Sequence, residues 1–469
     1  MSISLFHFEP IPKIVDHAQW QGVSRRKSAA YVEYVSILRR LTTRLSGVRC
    51  IFEIGLKKLD NSGQPIYRNP TMPIPTPFHD RTSKLCTSYR WTDWAGYYAV
   101  CSYNLPNDSE YYAIRHAAGL IDITPLFKYR ITGTDAAAFL SRIMARNIVP
   151  INVGQAAYCC WCDDDGKVID DGTVFRLDKD RFRVHTAEPM LAWFDQFKRG
   201  FNVAIDDITE TIAAVAIQGP TSRDILKQLT DLDLDALAYF GVTPAKLGGM
   251  NTHISRSGYT GDLGYEIWVE NKAALHLWDA VMSAGRPYLL QPAGLDVLDI
   301  TRIEAGLILN GVDFHNAEHC LIESQKSTPF ELGLGWTVNL EREPFSGQRA
   351  LKAEQARGTQ HALVGLEMDW DEQEALYARH GLPVQVATAA WRTGIPIYDG
   401  QGSRQIGKAT SGTWSPIIKK NLALASVKIE YAQPGTKLKI EYTVEYRRET
   451  VTAFVTPMPF YNPEHKKSQ

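Results

Sequence analysis

Two adjacent aspartates in the returning arm of a short hairpin are the strongest constraint on this chain. Over Gly154–Arg176 (GQAAYCCWCDDDGKVIDDGTVFR), two runs of strand-forming residues flank one tight turn. Tyr158, Cys160 and Cys162 alternate with Cys159 and Trp161 before it, and Val168-Ile169 and Thr173-Val174-Phe175 follow it. Asp163-Asp164-Asp165-Gly166 supplies the turn, because Asp tolerates tight backbone geometry and Gly takes positive φ freely. Asp170-Asp171 then stands directly after apolar Val168-Ile169. Neighbouring strand residues face opposite sides, so one of the pair is expected to point inward. An inward carboxylate needs a polar partner. Nearby backbone amides would serve, as would a ligand. These residues alone leave both open.

A chain of 469 residues has room for two or three domains and a large core. Its formal net charge of −1 gives no support for a nucleic-acid partner, and no apolar run approaches the ~20 residues needed to span a bilayer. Seven cysteines, an odd number, do not resemble a disulfide framework, so a reducing compartment is expected: the cytoplasm, or the mitochondrial matrix if the source is eukaryotic. Cys159, Cys160 and Cys162 lie too close on one strand to chelate a metal comfortably, and are expected to be small buried or half-buried strand residues. No metal site is expected.

Residues 1–71 read as an N-terminal extension of unknown role, with a basic helical candidate at Ala29–Leu45. Thr76–Tyr112 is dense in aromatics, including Trp91, Trp94, Tyr97, Tyr98 and Tyr103, which suits a core or a flat heteroaromatic ligand. A helix is expected around Ser109–Ala118 and another at Ala136–Ile143 with Asp135 as its N-cap. Strands are expected at Leu120–Ile123, Tyr129–Ile131, Phe182–His185 and Ile212–Ile217, with helices at Pro189–Arg199 and Thr221–Leu229. The pattern is α+β with antiparallel hairpins; it holds no glycine-rich dinucleotide fingerprint and no P-loop. Gly294–Leu307 reads as an amphipathic helix whose Arg302 and Glu304 suit a solvated face. After about residue 360, short strands and turn dipeptides suggest a β-rich domain, a small barrel or a jelly-roll-like sandwich.

Taken in order, several stretches resemble the aminomethyltransferase (T-protein) family of the glycine cleavage system and its wider folate-dependent relatives. They include Arg115-His-Ala-Ala-Gly-Leu-Ile-Asp-Ile123, Gly166-Lys-Val-Ile-Asp-Asp171, Ile217-Gln-Gly-Pro220, and Gly258-Tyr-Thr-Gly-Asp-Leu-Gly-Tyr-Glu-Ile267. Arg302-Ile-Glu-Ala-Gly-Leu307, Gly333-Leu-Gly-Trp336, Thr410-Ser-Gly412, Pro434-Gly-Thr436 and Met458-Pro-Phe460 continue the series. The likeness spans about Thr76 to Tyr461.

It implies an α+β, three-domain cloverleaf with a C-terminal barrel, and tetrahydrofolate bound in a central hole. The implied division is an extension over 1–71, a folate-binding region of two intertwined α+β domains over 72–355, and a β-rich barrel domain over 360–469. By resemblance, Asp171 is the functional aspartate and Glu266 holds the pterin ring. Tyr158 stands beside the folate, and Tyr259, Arg302, Arg448 and Tyr461 are further placements near matching motifs. Leu298 stands where glycine-cleavage members have a folate-contacting arginine, and the chain is longer than those members between Asp313 and Thr328.

The implied activity is transfer of an aminomethyl carbon from a lipoyl-carried intermediate to tetrahydrofolate, with a lipoyl carrier protein as partner. The alternatives are a tetrahydrofolate-dependent demethylase, using a small sulfonium, aryl ether or methylamine donor, and a folate-binding protein without turnover.

Overall fold

The computed structural model describes residues 72–467, together with the backbone of a short antiparallel pair, Lys58–Leu59 with Pro65–Ile66. The expected helix at Ala29–Leu45 lies outside the described residues. Met1–Thr71 and Met72–Gln469 form separate units, and the second carries the larger sheets and the barrel. No described helix is long and apolar enough to cross a membrane.

Three β bodies organise residues 72–467. The first is a five-stranded antiparallel sheet ordered Ala204–Asp207, Phe127–Thr132, Arg181–Thr186, Val168–Asp178, Gln155–Cys162. The second has six strands, ordered Val242–Leu247, Met250–Ser255, Gly264–Glu270, Ile212–Gln218, Gly119–Asp122, Gln291–Pro292, the last pairing in parallel. The third is a closed barrel of six strands between His361 and Thr456, so the C-terminal domain is a barrel and not an open sandwich. Closure leaves no unpaired edge.

The two sheets pack face to face. Phe175 on the first meets Trp268 on the second edge to face, with ring centroids 4.9 Å apart. Ala156, Ala214 and Ala216 lie in the same buried cluster, and their small side chains let the sheets approach. On its other face the five-stranded sheet buries Cys159, Trp161, Ile169 and Val174 under the helix Ala136–Ile143. Cys159, Cys160 and Cys162 were expected to be buried or half-buried strand residues, and all three are fully buried.

Several expectations needed correction. Asp135 does not cap its helix; its carboxylate accepts from the Asn202 backbone amide at 2.8 Å and ties the helix start to the Gly200 turn instead. The aromatic stretch forms the hairpin Arg90–Trp94 and Tyr97–Ser102, with Trp91 and Tyr103 in the core beneath the six-stranded sheet. Arg302 and Glu304 were expected on a solvated face. Both are buried, at 1% and 0% exposure. The helix Leu295–Glu304 runs between the sheets and the barrel, so its polar side meets protein rather than water.

That polar side makes two joints. Glu304 accepts from the Tyr111 hydroxyl at 2.6 Å, from Ser415 of the barrel at 2.5 Å, and from the buried Arg115 guanidinium. Arg302 pairs with Asp299 at 2.7 Å and with Asp313, whose other oxygen accepts from Thr410 and Ser411 of the barrel at 2.5 and 2.7 Å. Charged groups removed from water need such partners. The Arg302-Ile-Glu304 motif is thus the seam between the barrel and the rest.

Candidate active site

The central hairpin joins Gln155–Cys162 to Val168–Asp178 through the Asp163–Gly166 turn, with Gly166 at φ +76°. Its register decides the roles of the two aspartates. Cys162 pairs with Val168 and Trp161 with Asp170, which leaves Ile169 as an extra residue, a β-bulge. Asp170 therefore shares a face with Trp161 and the helix-covered core. Asp171 shares the opposite face with Cys160, Tyr158, Thr173 and Phe175, the one turned toward the six-stranded sheet. Gly172 comes next because a Cβ there would meet the His185 carbonyl oxygen at 2.1 Å.

The two aspartates have different partners. Asp170 accepts four N–H bonds, from the backbone amides of Ala187, Glu188 and Asp171 at 3.1, 3.1 and 2.9 Å and from the Asn310 amide at 2.7 Å. It is a structural clamp. Burial and the neighbouring Asp171 raise its pKa, while these donors oppose the rise. Asp171 accepts from one side chain among the described residues, the Tyr158 hydroxyl at 2.5 Å. Burial lifts its pKa to about 6, and the Tyr158 bond pulls the other way.

Tyr158 and Asp171 both keep some accessible surface, unlike the sealed core around them. Tyr158 stacks on Trp336, with centroids 6.0 Å apart and planes 21° from parallel. Trp336 is 65% exposed and lies under the Arg146 guanidinium, at the wall of a cleft of about 640 Å³ that also includes Gln155, Asn339 and Glu341. Tyr259 adjoins: its hydroxyl donates to the Ile308 carbonyl, and burial raises its pKa, with Asp171 and Asp313 adding to the rise.

Glu266 stands on the facing side of the other sheet. It lies two residues before Trp268 on Gly264–Glu270, hence on the face that meets Phe175, and pairs with Ala216, which is too small to cover it. Half-buried, it has its pKa raised to about 7 by burial, moderated by a bond with Ser257. A carboxylate of this kind can accept two N–H groups from a ligand edge.

Arg302, Tyr461 and Arg448 have protein partners of their own. Arg302 pairs with Asp299 and Asp313 in the barrel seam, while its Nη2 is buried with no hydrogen-bond partner among the described residues; Asp313 is close enough to Asp171 to help raise its pKa. Tyr461 covers the buried Arg115, 4.2 Å from ring centroid to guanidinium, and reaches Asp262 at 3.3 Å. Arg448 sits near the tip of the hairpin Lys437–Val444 and Arg447–Thr456, 81% exposed and 3.8 Å from Glu441. The contacts that hold Tyr461 and Arg448 thus lie apart from those that hold Asp171. Leu298, at the position of the expected arginine, packs against the apolar cluster holding Tyr111 and Val297.

Sequence reasoning missed Trp336, Asn310 and Asp313. Trp336 stood inside the Gly333–Trp336 motif, and Asn310 and Asp313 opened the long segment before Thr328. Their signal was proximity to matching motifs, without a local pattern that pointed at the hairpin.

Two family models match this chain: the GCVT N-terminal domain over residues 78–342 and the glycine cleavage T-protein C-terminal barrel domain over 361–462. The chain is 34% identical over 358 residues to an aminomethyltransferase of Bacillus subtilis (strain 168), covering 75% of this chain and 90% of that protein. It is 34% identical over 412 residues to a trimethylamine-oxide aldolase of Ruegeria pomeroyi; that match covers 84% of this chain but only 48% of the aldolase, about half its length. Among solved structures, the glycine cleavage system aminomethyltransferase T from Bartonella henselae superimposes with a TM-score of 0.70 at 23% identity, over 84% of this chain and 99% of that one. This chain belongs to the glycine cleavage T-protein family of enzymes.

Proposed function

We propose that this T-protein family member is a tetrahydrofolate-dependent one-carbon transferase of the aminomethyltransferase type. The observation that carries the reading is the placement of Asp171 and Glu266 on the facing sides of two packed sheets, each half-buried. The residues present suit a reduced folate. Glu266 would accept from the amide-and-amine edge of the pterin, and Tyr158 with Trp336 offers an aromatic wall for its ring. Bound tetrahydrofolate supplies the secondary amines that receive the carbon. Asp171 would orient the reacting amine and stabilise positive charge as it develops, without forming a covalent bond. Tyr158 holds that carboxylate in place and favours its charged form.

In this reading an aminomethyl group carried on a lipoyl sulfur is the donor. Ammonia, the free dithiol and methylene-tetrahydrofolate are the products, and the lipoyl carrier protein is the partner. The catalytic region is 72–355 and the barrel domain 360–469, with 1–71 as an extension. The cleft walled by Arg146 and Trp336 is the entrance.

A second reading has its own support. The match to the trimethylamine-oxide aldolase covers more of this chain than the match to the Bacillus subtilis aminomethyltransferase does, and Trp336 presents an exposed aromatic face of the kind that binds methylated ammonium groups. Under it, the one-carbon donor is a methylated amine.

Purified protein with tetrahydrofolate and either an aminomethyl-lipoyl carrier or methylated amines decides between them, with the folate product identified by mass. Methylene-tetrahydrofolate with ammonia from the carrier supports the first reading. A one-carbon folate formed only from methylated amines supports the second. Tight folate binding with no product from any donor would sink both and leave a binding protein.

A further inference from the structure

Further along the same face of the five-stranded sheet, the basic residues gather. In Arg181-Phe182-Arg183-Val184-His185, Phe182 and Val184 enter the helix-covered core, so Arg181, Arg183 and His185 turn to the opposite side. Lys128 and Arg130 pair with His185 and Arg183 on the next strand and share that face. Lys128 is satisfied by the carbonyls of Thr124 and Leu126, both at 2.7 Å. Arg130 pairs with Asp206 at 3.0 Å and Arg181 with Asp178 at 3.5 Å.

Arg183 differs. It is 8% exposed, and its Nε and Nη1 are buried with no hydrogen-bond partner among the described residues. Its guanidinium lies 5.6 Å from the Trp268 ring centroid, a contact that holds the group without neutralising it. A buried cation without a counter-charge is unfavourable, and burial pulls its pKa down to about 10.

Two clefts, of about 570 and 510 Å³, meet at Arg183 and His253. Arg130, Arg181 and Lys272 line the first, and Lys246 and Asn251 the second. Glu210 and Glu270 are the carboxylates on these walls, and Lys272 holds Glu270 at 2.5 Å. Burial and the nearby arginines lower the His253 pKa to about 4, so near neutrality its ring is an uncharged donor or acceptor.

We propose that this cleft is a second ligand site, for the phosphate or carboxylate group of a small molecule, with Arg183 as its anchor. The planar fork of Arg183 suits two-point binding of an oxyanion, and a bound anion supplies the missing counter-charge. Arg181 and Lys272 stand at its mouth and favour anions.

Calorimetry and thermal unfolding of the full chain test this with inorganic phosphate and with citrate, each against potassium chloride of equal ionic strength. The expected result is saturable binding and a rise of ~2–5 °C in melting temperature. Arg183→Gln removes an unpaired buried charge. It is expected to melt higher than the parent without anion, and to bind about 10- to 100-fold more weakly. A response to phosphate alone assigns a phosphorylated ligand, and to citrate alone a polycarboxylate. No response to either beyond the chloride control, or an undiminished response in Arg183→Gln, overturns the site. Should that variant not fold, the surface double variant Arg181→Gln, Lys272→Gln is expected to weaken binding several-fold, and unchanged affinity overturns the site equally.

Discussion

The Tyr158 hydroxyl donates to the Asp171 carboxylate at 2.5 Å from a diagonal position on the neighbouring strand. The bond favours the charged form of a carboxyl whose pKa burial nonetheless raises to about 6. Asp171→Asn is expected to lower turnover by about 10²–10³-fold with folate affinity largely kept. In the parent, activity should fall as pH drops through about 6, where the carboxyl takes up its proton. Tyr158→Phe removes the donor, so that limb should move to higher pH, by about one unit. A pH–rate profile checks both; an unmoved limb would remove Tyr158 from this role.

Asp170 and Asp171 should respond oppositely to truncation. Asp170→Ala leaves buried N–H donors of Ala187, Glu188 and Asn310 without an acceptor, and should destabilise the fold by about 3–5 kcal/mol. Asp171→Ala should not. The folded-state pKa of Asp171 is raised, so its contribution to stability is present below the unfolded value and lost as pH rises through about 6. Above that pH the Asp171 variants should unfold at higher denaturant than the parent, and near pH 4 the difference should vanish. Denaturant midpoints at the two pH values measure this.

Glu266 carries a pKa of about 7, raised by burial. Folate affinity should therefore weaken as pH falls below 7 and the acceptor is protonated. Glu266→Gln should bind folate about 10- to 100-fold more weakly and lose that pH dependence. Equilibrium binding followed by fluorescence across pH 6–8 is the check.

Arg302 is a seam residue, so its removal should act on stability before ligand binding. Arg302→Ala takes the guanidinium from buried Asp313, which keeps only hydroxyl and amide donors, and leaves Asp299 with Arg392 at 2.7 Å, so it should cost about 3 kcal/mol. Limited proteolysis should then release the barrel. A variant of unchanged stability that had lost folate binding would return Arg302 to the ligand.

Arg448 stands exposed on the barrel hairpin beside Glu441. Arg448→Ala should leave turnover unchanged and stability within ~0.5 kcal/mol, as for other exposed pairs. A loss of activity would show that the barrel tip reaches substrate or partner.

The residues themselves determined much of this protein. Alternation over Tyr158–Cys162 and over Arg181–His185, the turn at Asp163–Gly166 and the order of the motifs sufficed for strands, hairpin, fold class and the importance of the aspartate pair. Those are local periodicities and spacings, and a linear chain displays them directly. Tertiary structure decided which aspartate is clamped by backbone amides and which faces the second sheet. One extra residue, Ile169, shifts the phase of the strand, and a shift of one exchanges its two faces. It also decided that Arg302 and Glu304 are buried, because the surface that covers them comes from a barrel more than 90 residues away in the chain. Trp336 met Tyr158, and Nε and Nη1 of Arg183 were left without a hydrogen-bond partner among the described residues, for the same reason. Which groups meet across such distances depends on how the sheets and the barrel close on one another, and no pattern within a strand or helix encodes it.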